Sequence, residues 1–251
     1  MLCRQMAEKV RLDLLLYQKG MAESREKARA MIMAGLVDVD RVRVEKPGTP
    51  VSPDCILFVK NPYPPYVSRG GLKLEGALTF FSLKVKDRVI LDVGASTGGF
   101  TDCLLQHGAA RVIAVDVGYG QLHWRLRRDP RVLVLERTNI RHLEPGALKE
   151  EVDGAVIDVS FISLRLVVPV VSRLLKDQAF IVALVKPQFE VGKGRVGKGG
   201  VVRDPVLHRE VTDELSRFFT GIGWESAGQM SSPLLGPKGN KEFLIYLTRD
   251  E

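Results

Sequence analysis

The sequence has few cysteines and no long apolar run, and each absence excludes a class of protein. Its three cysteines, Cys3, Cys55 and Cys103, lie far apart without a C-x-x-C pair. This spacing excludes a disulfide framework and a cysteine zinc site, and it indicates a reducing compartment. No run of about 18 apolar residues predicts a membrane-spanning helix, and early charged residues interrupt any signal-peptide core. We therefore expect a cytoplasmic protein.

Basic residues outnumber acidic residues in this sequence. Thirty-seven lysines and arginines stand against 30 acidic residues, so the net charge is +7. Hydrophobic residues make up 45% of the 251 positions, which is enough to bury a core and excludes wholesale disorder. The positive excess favours a polyanionic partner, either a nucleic acid or an acidic membrane surface.

A proline-rich stretch divides the chain into two predicted domains. Residues 1–60 combine two short amphipathic helices with short alternating strands, and Ser24 is a suitable N-cap for the second helix. Residues 61–67 contain three prolines, which cannot continue a helix or a central strand, so a stiff linker is expected. Residues 68–251 then form the larger domain.

The larger domain alternates between strand-like and helix-like segments. Strands are predicted at residues 89–93, 111–117, 132–135, 154–159, 180–185 and 243–248, and helices at 100–107, 121–128, 164–175 and 205–220. Continuous apolar runs such as 180–185 suit strands that are covered on both faces. The pattern predicts an α/β fold, a doubly wound Rossmann-like sheet that binds ligands over the carboxyl ends of its strands.

A glycine-rich turn follows the first of these strands. Its D-x-G-x-x-x-G-G pattern has Ser96 where a dinucleotide site needs its second glycine, and Asp116 closes the next strand. S-adenosylmethionine carries no phosphate but has ribose hydroxyls for such an acidic residue, so the pattern favours this cofactor over NAD or flavin. The predicted cofactor-binding residues are Asp92, Gly94, Ser96, Thr97, Gly98, Gly99, Phe100 and Asp116.

Three other interpretations of the glycine motifs are open at this stage. The turn matches G-x-S-x-G of serine hydrolases, with Asp204 and His208 following Ser96 in the expected order. Residues 192–198 satisfy most of a P-loop, but Gly199 replaces the Ser or Thr that would bind magnesium. The turn could also be purely structural. The four histidines show no metal-ligand spacing, so no metal site is predicted.

Charged residues at strand ends supply candidate catalytic groups. Asp158 and Lys186 each end a predicted strand, and Pro187 stops the second strand at once. Lys73 follows the linker, and Glu242 precedes the last strand. If the four converge, a lysine can take the proton of an acceptor hydroxyl or stabilise a developing alkoxide, as methyl transfer to a ribose 2′-hydroxyl requires.

These motifs together resemble the TlyA (hemolysin A) family, whose catalytic half is similar to FtsJ-like ribose 2′-O-methyltransferases. The most specific segments are residues 68–74, 92–100, 158–161 and 185–190, and the resemblance covers essentially the whole chain. It implies a Lys-Asp-Lys-Glu tetrad and S-adenosylmethionine-dependent methylation of ribosomal RNA. The tetrad would be Lys73, Asp158, Lys186 and Glu242.

The first sixty residues resemble the Alpha-L RNA-binding motif of a ribosomal protein and of tyrosyl-tRNA synthetases. One departure is Asp40-Arg41, where the turn between strands often carries Asn-Gly. Basic side chains on the helices could hold phosphates. The candidates in this domain are Arg11, Arg25, Lys27 and Arg29.

Further RNA contacts are predicted in the larger domain. Phe161 could stack on a splayed base or belong to the core, and the basic loop with Lys193, Arg195 and Lys198 could close over RNA. The expected partner is ribosomal RNA or a ribosomal subunit. Two other functions are weighed: a non-catalytic ribosome-assembly factor, and a membrane-active hemolysin.

Overall fold

A computed structural model describes residues 9–60, 65–192 and 194–249 of the chain. These residues form two compact units, one on either side of residue 64, and each is described by itself.

The N-terminal unit packs two helices against short strands. Leu12, Leu15 and Leu16 lie on one face of the first helix and are buried in its core, as the spacing predicts. Ser24 caps the second helix, since its Oγ accepts a hydrogen bond of 3.2 Å from the backbone N–H of Lys27. The elements are β1 (Val10–Arg11), α1 (Leu12–Gln18), α2 (Arg25–Met33), β2 (Val37–Val39), β3 (Val42–Arg43), β4 (Pro50–Val51) and β5 (Leu57–Val59).

The two-residue turn between β2 and β3 keeps its shape without glycine. Asp40 and Arg41 have φ angles of 49° and 70°, and positive φ at both positions is what a type I′ hairpin turn requires. The Asp40 carboxylate offsets part of the strain, because its Oδ1 accepts a 2.9 Å hydrogen bond from the backbone of Ile56. The departure from Asn-Gly therefore leaves the hairpin intact.

The larger unit is built on a seven-stranded sheet, and the predicted α/β class is confirmed. The strand order is β11-β12-β10-β9-β6-β7-β8, with parallel pairing from β10 to β8 and antiparallel pairing of β12 and β11 at one edge. The order reverses between β6 and β9, which is where such sheets bind ligands. The strands are β6 (Val89–Val93), β7 (Arg111–Val115), β8 (Val132–Leu135), β9 (Gly154–Ile157), β10 (Phe180–Val185), β11 (Glu225–Ser231) and β12 (Phe243–Thr248).

Helices cover both faces of this sheet. One core joins α6 and α8 to one face, and the other core joins α3, α4 and α5 to the opposite face. The central strands β9 and β10 are buried along their whole length by these two layers, which explains their continuous apolar runs. The helices are α3 (Gly70–Phe80), α4 (Gly99–Gln106), α5 (Trp124–Arg127), α6 (Leu164–Ser172), α7 (Pro187–Glu190) and α8 (Pro205–Thr220).

Five elements were not predicted, namely β1 and β4 of the N-terminal unit and α3, α7 and β11 of the larger unit, and several boundaries differ. α3 begins with two glycines soon after the proline-rich stretch, and such a sequence is typical of a loop rather than of a helix start. β11 has a largely polar sequence with a bulge after Ser226, so it lacks the apolar alternation of a strand. Strands β7 and β9 end two residues before their predicted limits.

Candidate active site

A large cavity lies over the carboxyl ends of β6, β7 and β9, at the point where the strand order reverses. Its volume is about 800 Å³. Residues from the glycine turn, from the ends of β7 and β8, and from the start of α6 line it. We call this the strand-end cavity. Its polar lining includes Ser96, Asp116, Gln121, Thr138, Asn139, Arg141, Asp158, Ser160 and Ser163.

A smaller cavity of about 220 Å³ adjoins it, and we call this the turn cavity. Gly94, Ser96 and Asp158 line both, so the two are neighbouring parts of one crevice. The rest of the turn cavity comes from the glycine turn and the start of α3. These residues are Ser68, Arg69, Gly70, Lys73, Ala95, Thr97, Gly99 and Phe100.

The glycine turn is shaped by close approaches that side chains would block. Gly94 has a φ of 85°, and a Cβ there would lie 2.5 Å from the carbonyl oxygen of Asp158. A Cβ on Gly99 would lie 2.2 Å from Oγ of Ser68. Ser96 adopts a φ of 50° between them, which L residues rarely do. The turn is therefore held tightly between β9 and the start of α3.

Asp116 is fixed at the wall of the strand-end cavity. Its Oδ2 accepts a 2.8 Å hydrogen bond from the backbone N–H of Ser96, and its Oδ1 accepts one of 2.7 Å from Gly118. These bonds aim the carboxylate at one position and leave lone pairs for a ligand. The predicted ribose-binding carboxylate thus lies beside the turn.

Two of the predicted cofactor-binding residues do not line either cavity and are packed beneath the glycine turn. Asp92 has no solvent-accessible surface, and its Oδ2 accepts a 2.6 Å hydrogen bond from the Thr101 hydroxyl. Gly98 is packed against Leu126, which a Cβ would approach to 2.3 Å. Burial raises the pKa of Asp92 to about 7, and the nearby Asp158 carboxylate adds to the rise. Both residues support the turn from beneath rather than reaching into the cavity.

Lys73 and Glu242 form one buried ion pair of the site. Nζ of Lys73 donates a 2.6 Å hydrogen bond to Oε2 of Glu242, although 169 positions separate them in the sequence. Oε1 of Glu242 lies against Gly236, where a Cβ would come within 1.9 Å, and it accepts no hydrogen bond from the described residues. Glycine at position 236 therefore makes room for this carboxylate.

Lys186 and Asp158 form the second pair. Nζ of Lys186 lies 2.6 Å from Oδ1 of Asp158 and donates a 2.8 Å hydrogen bond to Oγ of Ser160. Pro187 begins α7 immediately after the strand, so the lysine stays at the strand end with its stem buried. Ser160 was not singled out from the sequence.

The two pairs border the same cavity. Lys73 and Asp158 both line the turn cavity, and each holds the remaining member of its own pair. One member of each pair, the Lys73 ammonium and the Asp158 carboxylate, thus borders a space that adjoins the strand-end cavity, and Glu242 and Lys186 stand behind them. Such a set can orient a hydroxyl, accept its proton and stabilise the resulting negative charge.

The hydrolase and P-loop interpretations find no matching geometry. The Asp204 carboxylate caps α8 by accepting a hydrogen bond from the backbone N–H of Val206. The His208 ring is hydrogen-bonded to the carbonyl of Val202. Neither side chain therefore forms a catalytic triad with Ser96. The lysine-rich stretch ends in a 3₁₀ turn over Lys198–Gly200 rather than in a long helix. The phosphate-binding loop of a P-loop is followed by a helix.

The predicted RNA contacts of the larger unit lie in different settings. Phe161 is 90% exposed in a left-handed conformation, with a φ of 64°, and its ring lies 5.1 Å from that of Phe189. It is therefore no core residue. Arg195 pairs with Glu210 of α8, and Lys198 is exposed on its turn. Lys193 lies outside the described residues.

Two of the predicted basic residues of the N-terminal unit bind the same buried carboxylate. Arg11 and Arg25 both bond to the buried carboxylate of Asp13, at 3.0 and 3.2 Å, while about half of each arginine side chain stays exposed. Bonding to Arg11 holds the pKa of Asp13 below its usual range. Lys27 pairs with Glu23 along α2, and Arg29 is exposed.

Sequence reasoning missed the residues that follow β8. Thr138, Asn139 and Ile140 line the strand-end cavity beside Asp116, but their sequence carries no motif. Their place at the end of a parallel strand was the available signal, because the carboxyl ends of parallel strands share one edge. Ser68 and Arg69 were noted only as part of a motif, and they line the turn cavity.

Comparison with known proteins identifies both units. The family model described as FtsJ-like methyltransferase matches residues 66–249, and the model described as S4 domain matches residues 10–54.

Individual proteins resemble the chain over nearly its whole length. The protein named 16S/23S rRNA (cytidine-2′-O)-methyltransferase TlyA, from Mycobacterium tuberculosis, is 51% identical over 96% of this chain and 91% of its own. Hemolysin A of Brachyspira hyodysenteriae is 40% identical over 94% of this chain and 99% of its own. A solved structure of a candidate hemolysin from Streptococcus thermophilus superimposes with a TM-score of 0.74 at 45% identity, covering 97% of this chain and 90% of that one. In the part of our chain that the structure describes, no helix has the length and apolar character needed to span a membrane.

Proposed function

Because the chain belongs to the FtsJ-like methyltransferase family and carries an S4 domain, we propose that it methylates a ribose 2′-hydroxyl of ribosomal RNA with S-adenosylmethionine. The observation that carries this proposal is that two lysine–carboxylate pairs each place one member, Lys73 and Asp158, at the cavity beside the glycine turn. The TlyA relative named for cytidine-2′-O-methylation supports the choice of substrate. A ribosomal substrate would be met in the cytoplasm.

The residues around the crevice fit the proposed cofactor. Asp116, held by two backbone N–H groups, would bind ribose hydroxyls, and the strand-end cavity behind it has room for a base. Thr97 and Gly99 would border the amino-acid end in the turn cavity. When bound, S-adenosylmethionine supplies an electrophilic methyl group on a sulfonium. The chain's own task is to hold the acceptor oxygen in line with it.

The two ion pairs would prepare the acceptor. As a neutral amine, Lys186 would take up the proton of the hydroxyl; as an ammonium, it would stabilise the charge that develops on the hydroxyl oxygen. Asp158 and Ser160 would orient it in either form. Lys73 lines the turn cavity and is held by Glu242, so it would fix the position of the acceptor. Phe161, exposed next to Asp158, would stack on the splayed target base.

The N-terminal unit would supply a second RNA-binding surface. Arg11 and Arg25 present half-exposed guanidinium groups that a common buried carboxylate orients. Held in this way, two guanidinium groups suit phosphate oxygens, which they can contact in a bidentate manner. Arg29, and the larger unit's Lys198, would add charge that makes binding dependent on salt.

A non-catalytic assembly factor is the competing function. Such a protein would not need a buried Lys73–Glu242 pair and a largely buried Lys186 at a cavity, because buried charges are costly to keep. The name of the Brachyspira relative raises the third candidate, a hemolysin. Leakage of dye from liposomes at low protein concentration tests for it, and none is expected.

The decisive experiment incubates the full chain with labelled S-adenosylmethionine and ribosomal subunits that lack ribose methylation. We expect label in ribosomal RNA, mapped by mass spectrometry to a 2′-oxygen. Binding of S-adenosylmethionine, measured separately by calorimetry, distinguishes the candidates. Cofactor binding without transfer favours the assembly factor, and no binding contradicts the methyltransferase.

A variant separates chemistry from binding in the same assay. Lys186→Ala removes the proposed proton acceptor while leaving Asp116 and the glycine turn in place, so transfer should fall about a thousandfold. Calorimetry should give an unchanged cofactor affinity. Full activity in Lys186→Ala would refute the proposed role of the two ion pairs.

A further inference from the structure

An exposed tryptophan lies on the surface of the larger unit next to the glycine turn. Trp124 begins α5 and is 58% exposed, which is unusual for the largest apolar side chain. The guanidinium carbons of Arg125 and Arg128 lie 5.7 and 5.5 Å from the centre of its ring. The His123 ring stacks on it at 5.9 Å. We call these four residues the Trp124 face.

The charges around this face favour an anionic partner. Residues 123–137 contain five arginines and only two acidic residues. Both acidic residues are engaged elsewhere, because Asp129 pairs with Arg131 and Glu136 pairs with Arg127. Arg128 therefore adds positive charge at an aromatic surface that solvent can reach.

The face is rigidly attached to the predicted cofactor site. The backbone N–H of His123 donates a 3.2 Å hydrogen bond to the carbonyl of Thr97, which lines the turn cavity. Leu122 and Leu126, on either side of Trp124 in sequence, pack against Gly98 so closely that a Cβ there would clash with both. The indole is thus presented from a fixed base beside the turn, and it would lose little entropy on binding.

We propose that the Trp124 face binds the substrate RNA at a site separate from the target nucleotide. An unpaired base stacks on the indole, and Arg125 and Arg128 contact the flanking phosphates. Aromatic rings with adjacent arginines are the usual means of holding single-stranded nucleic acid without sequence preference. The inference rests on the proposed function, since it takes the RNA substrate as given.

RNA explains the composition of the face better than a protein partner does. A protein interface of this kind would need a larger apolar surface around its aromatic anchor. Here the neighbours of the indole are a histidine and two arginines, which match a base and its phosphates. The hydrogen bond from His123 to Thr97 keeps the face next to the turn cavity, so one RNA strand could reach both.

The test compares Trp124→Ala with Phe80→Ala in the full chain. Phe80 is 62% exposed and packs edge-on against Phe81, so it controls for the loss of an exposed ring. We expect Trp124→Ala to weaken binding to unmethylated ribosomal subunits about tenfold, as loss of one stacked base does. Phe80→Ala should bind as the parent does, and calorimetry should give the same S-adenosylmethionine affinity for all three proteins.

Tryptophan fluorescence gives a second measurement, which would not change if Trp124 only stabilised the fold. The chain has two tryptophans, and Trp224 is fully buried, so RNA stacked on Trp124 should quench the exposed indole alone. Trp124→Ala should abolish the quenching, and Trp124→Phe should restore most of the affinity. Replacing both Arg125 and Arg128 with Gln should reduce the salt dependence of binding by about 0.7 per arginine on a log–log plot.

The outcomes separate this inference from the function on which it rests. If the parent protein methylates the subunits and Trp124→Ala binds them equally well, the inference is wrong and the function stands. If the parent neither binds nor methylates them, both are wrong. Equal loss in Trp124→Ala and Phe80→Ala would also contradict a specific role for the face.

Discussion

The two units of this protein each bury a carboxylate completely, but they neutralise it in different ways. In the N-terminal unit, Asp13 accepts hydrogen bonds from Arg11 and Arg25, and its pKa lies below the usual range. In the larger unit, Asp92 has the Thr101 hydroxyl as its partner, and burial raises its pKa to about 7. Both side chains are closed off from solvent, but Asp92 lies much deeper in the protein than Asp13, and their two pKa values move in opposite directions.

The comparison shows that the partner and the depth of burial together decide the charge of an acid that solvent does not reach. A guanidinium stabilises the ionised form, whereas a hydroxyl cannot offset the cost of removing that form from water. Glu242 is a third buried carboxylate, and it differs from Asp13 and Asp92 because its partner is a lysine, Lys73, that is buried as well. The N-terminal unit leaves its paired arginines half exposed to solvent, whereas the larger unit holds Lys73 buried at the edge of a cavity.

Breaking the buried pair should have the largest effect. Glu242→Ala leaves Lys73 buried without its carboxylate, so the free energy of unfolding of the larger unit should fall by about 3 kcal/mol. Methyl transfer should fall at least about a hundredfold as Lys73 loses its position. Urea denaturation followed by tryptophan fluorescence measures the first effect, since both tryptophans lie in this unit.

An exposed pair in the same unit is the matched control. Glu214 pairs with Arg165 at 2.8 Å, and both side chains are more than a third exposed. Glu214→Ala should therefore change the free energy of unfolding by no more than about 0.5 kcal/mol. Equal destabilisation by Glu242→Ala and Glu214→Ala would remove the distinction between buried and exposed pairs.

Asp92 should make the stability of the larger unit depend on pH. Its pKa is about 7 in the folded protein and near 4 when unfolded, so between these values the folded state binds one more proton. Its contribution to stability is therefore present below about pH 4 and is lost as the pH rises to about 7. Asp92→Asn keeps the shape of the neutral acid and should remove this part of the pH dependence.

Urea midpoints between pH 4 and pH 8 measure the effect in the two proteins. The parent should lose stability relative to Asp92→Asn as the pH rises. Curves that run parallel over this range would show that Asp92 keeps one charge state throughout, and the contrast with Asp13 would disappear.

The smallest predicted effect concerns Asp13, which positions the two arginines. In Asp13→Asn the arginines keep their charge but lose the carboxylate that orients them, so affinity for ribosomal subunits should fall about fivefold, or about 1 kcal/mol. The salt dependence of binding should not decrease, because no cation is removed. Arg25→Ala should instead lower both the affinity and the salt slope, the slope by about 0.7.

Filter binding at several salt concentrations distinguishes the two variants. Hydrogen exchange of the α1 and α2 amides checks that the N-terminal unit stays folded. A reduced salt slope in Asp13→Asn would indicate that the arginines are displaced from the RNA altogether rather than reoriented.

Much of the larger unit's fold and part of its site were predictable from local patterns. Apolar runs of strand length, separated by helical spacing, predicted the sheet, and β6, β8, β10 and β12 have the predicted limits. Asp158 and Lys186 were singled out because each directly follows a strand, and the ends of parallel strands share an edge. The polar sequence of β11 and the two glycines of α3 carry no such pattern.

The sequence by itself determined which segments become strands and helices, where the glycine turn lies and which charged residues stand at strand ends, because these follow from neighbours a few positions apart. Only the tertiary structure decided that Lys73 meets Glu242 across 169 positions, that Asp92 lies beneath the turn and that Trp124 stands beside it. Such pairings depend on how the sheet orders its strands and how the helices pack upon it. No local pattern records that order, because each contact joins residues that folding brings together from far apart.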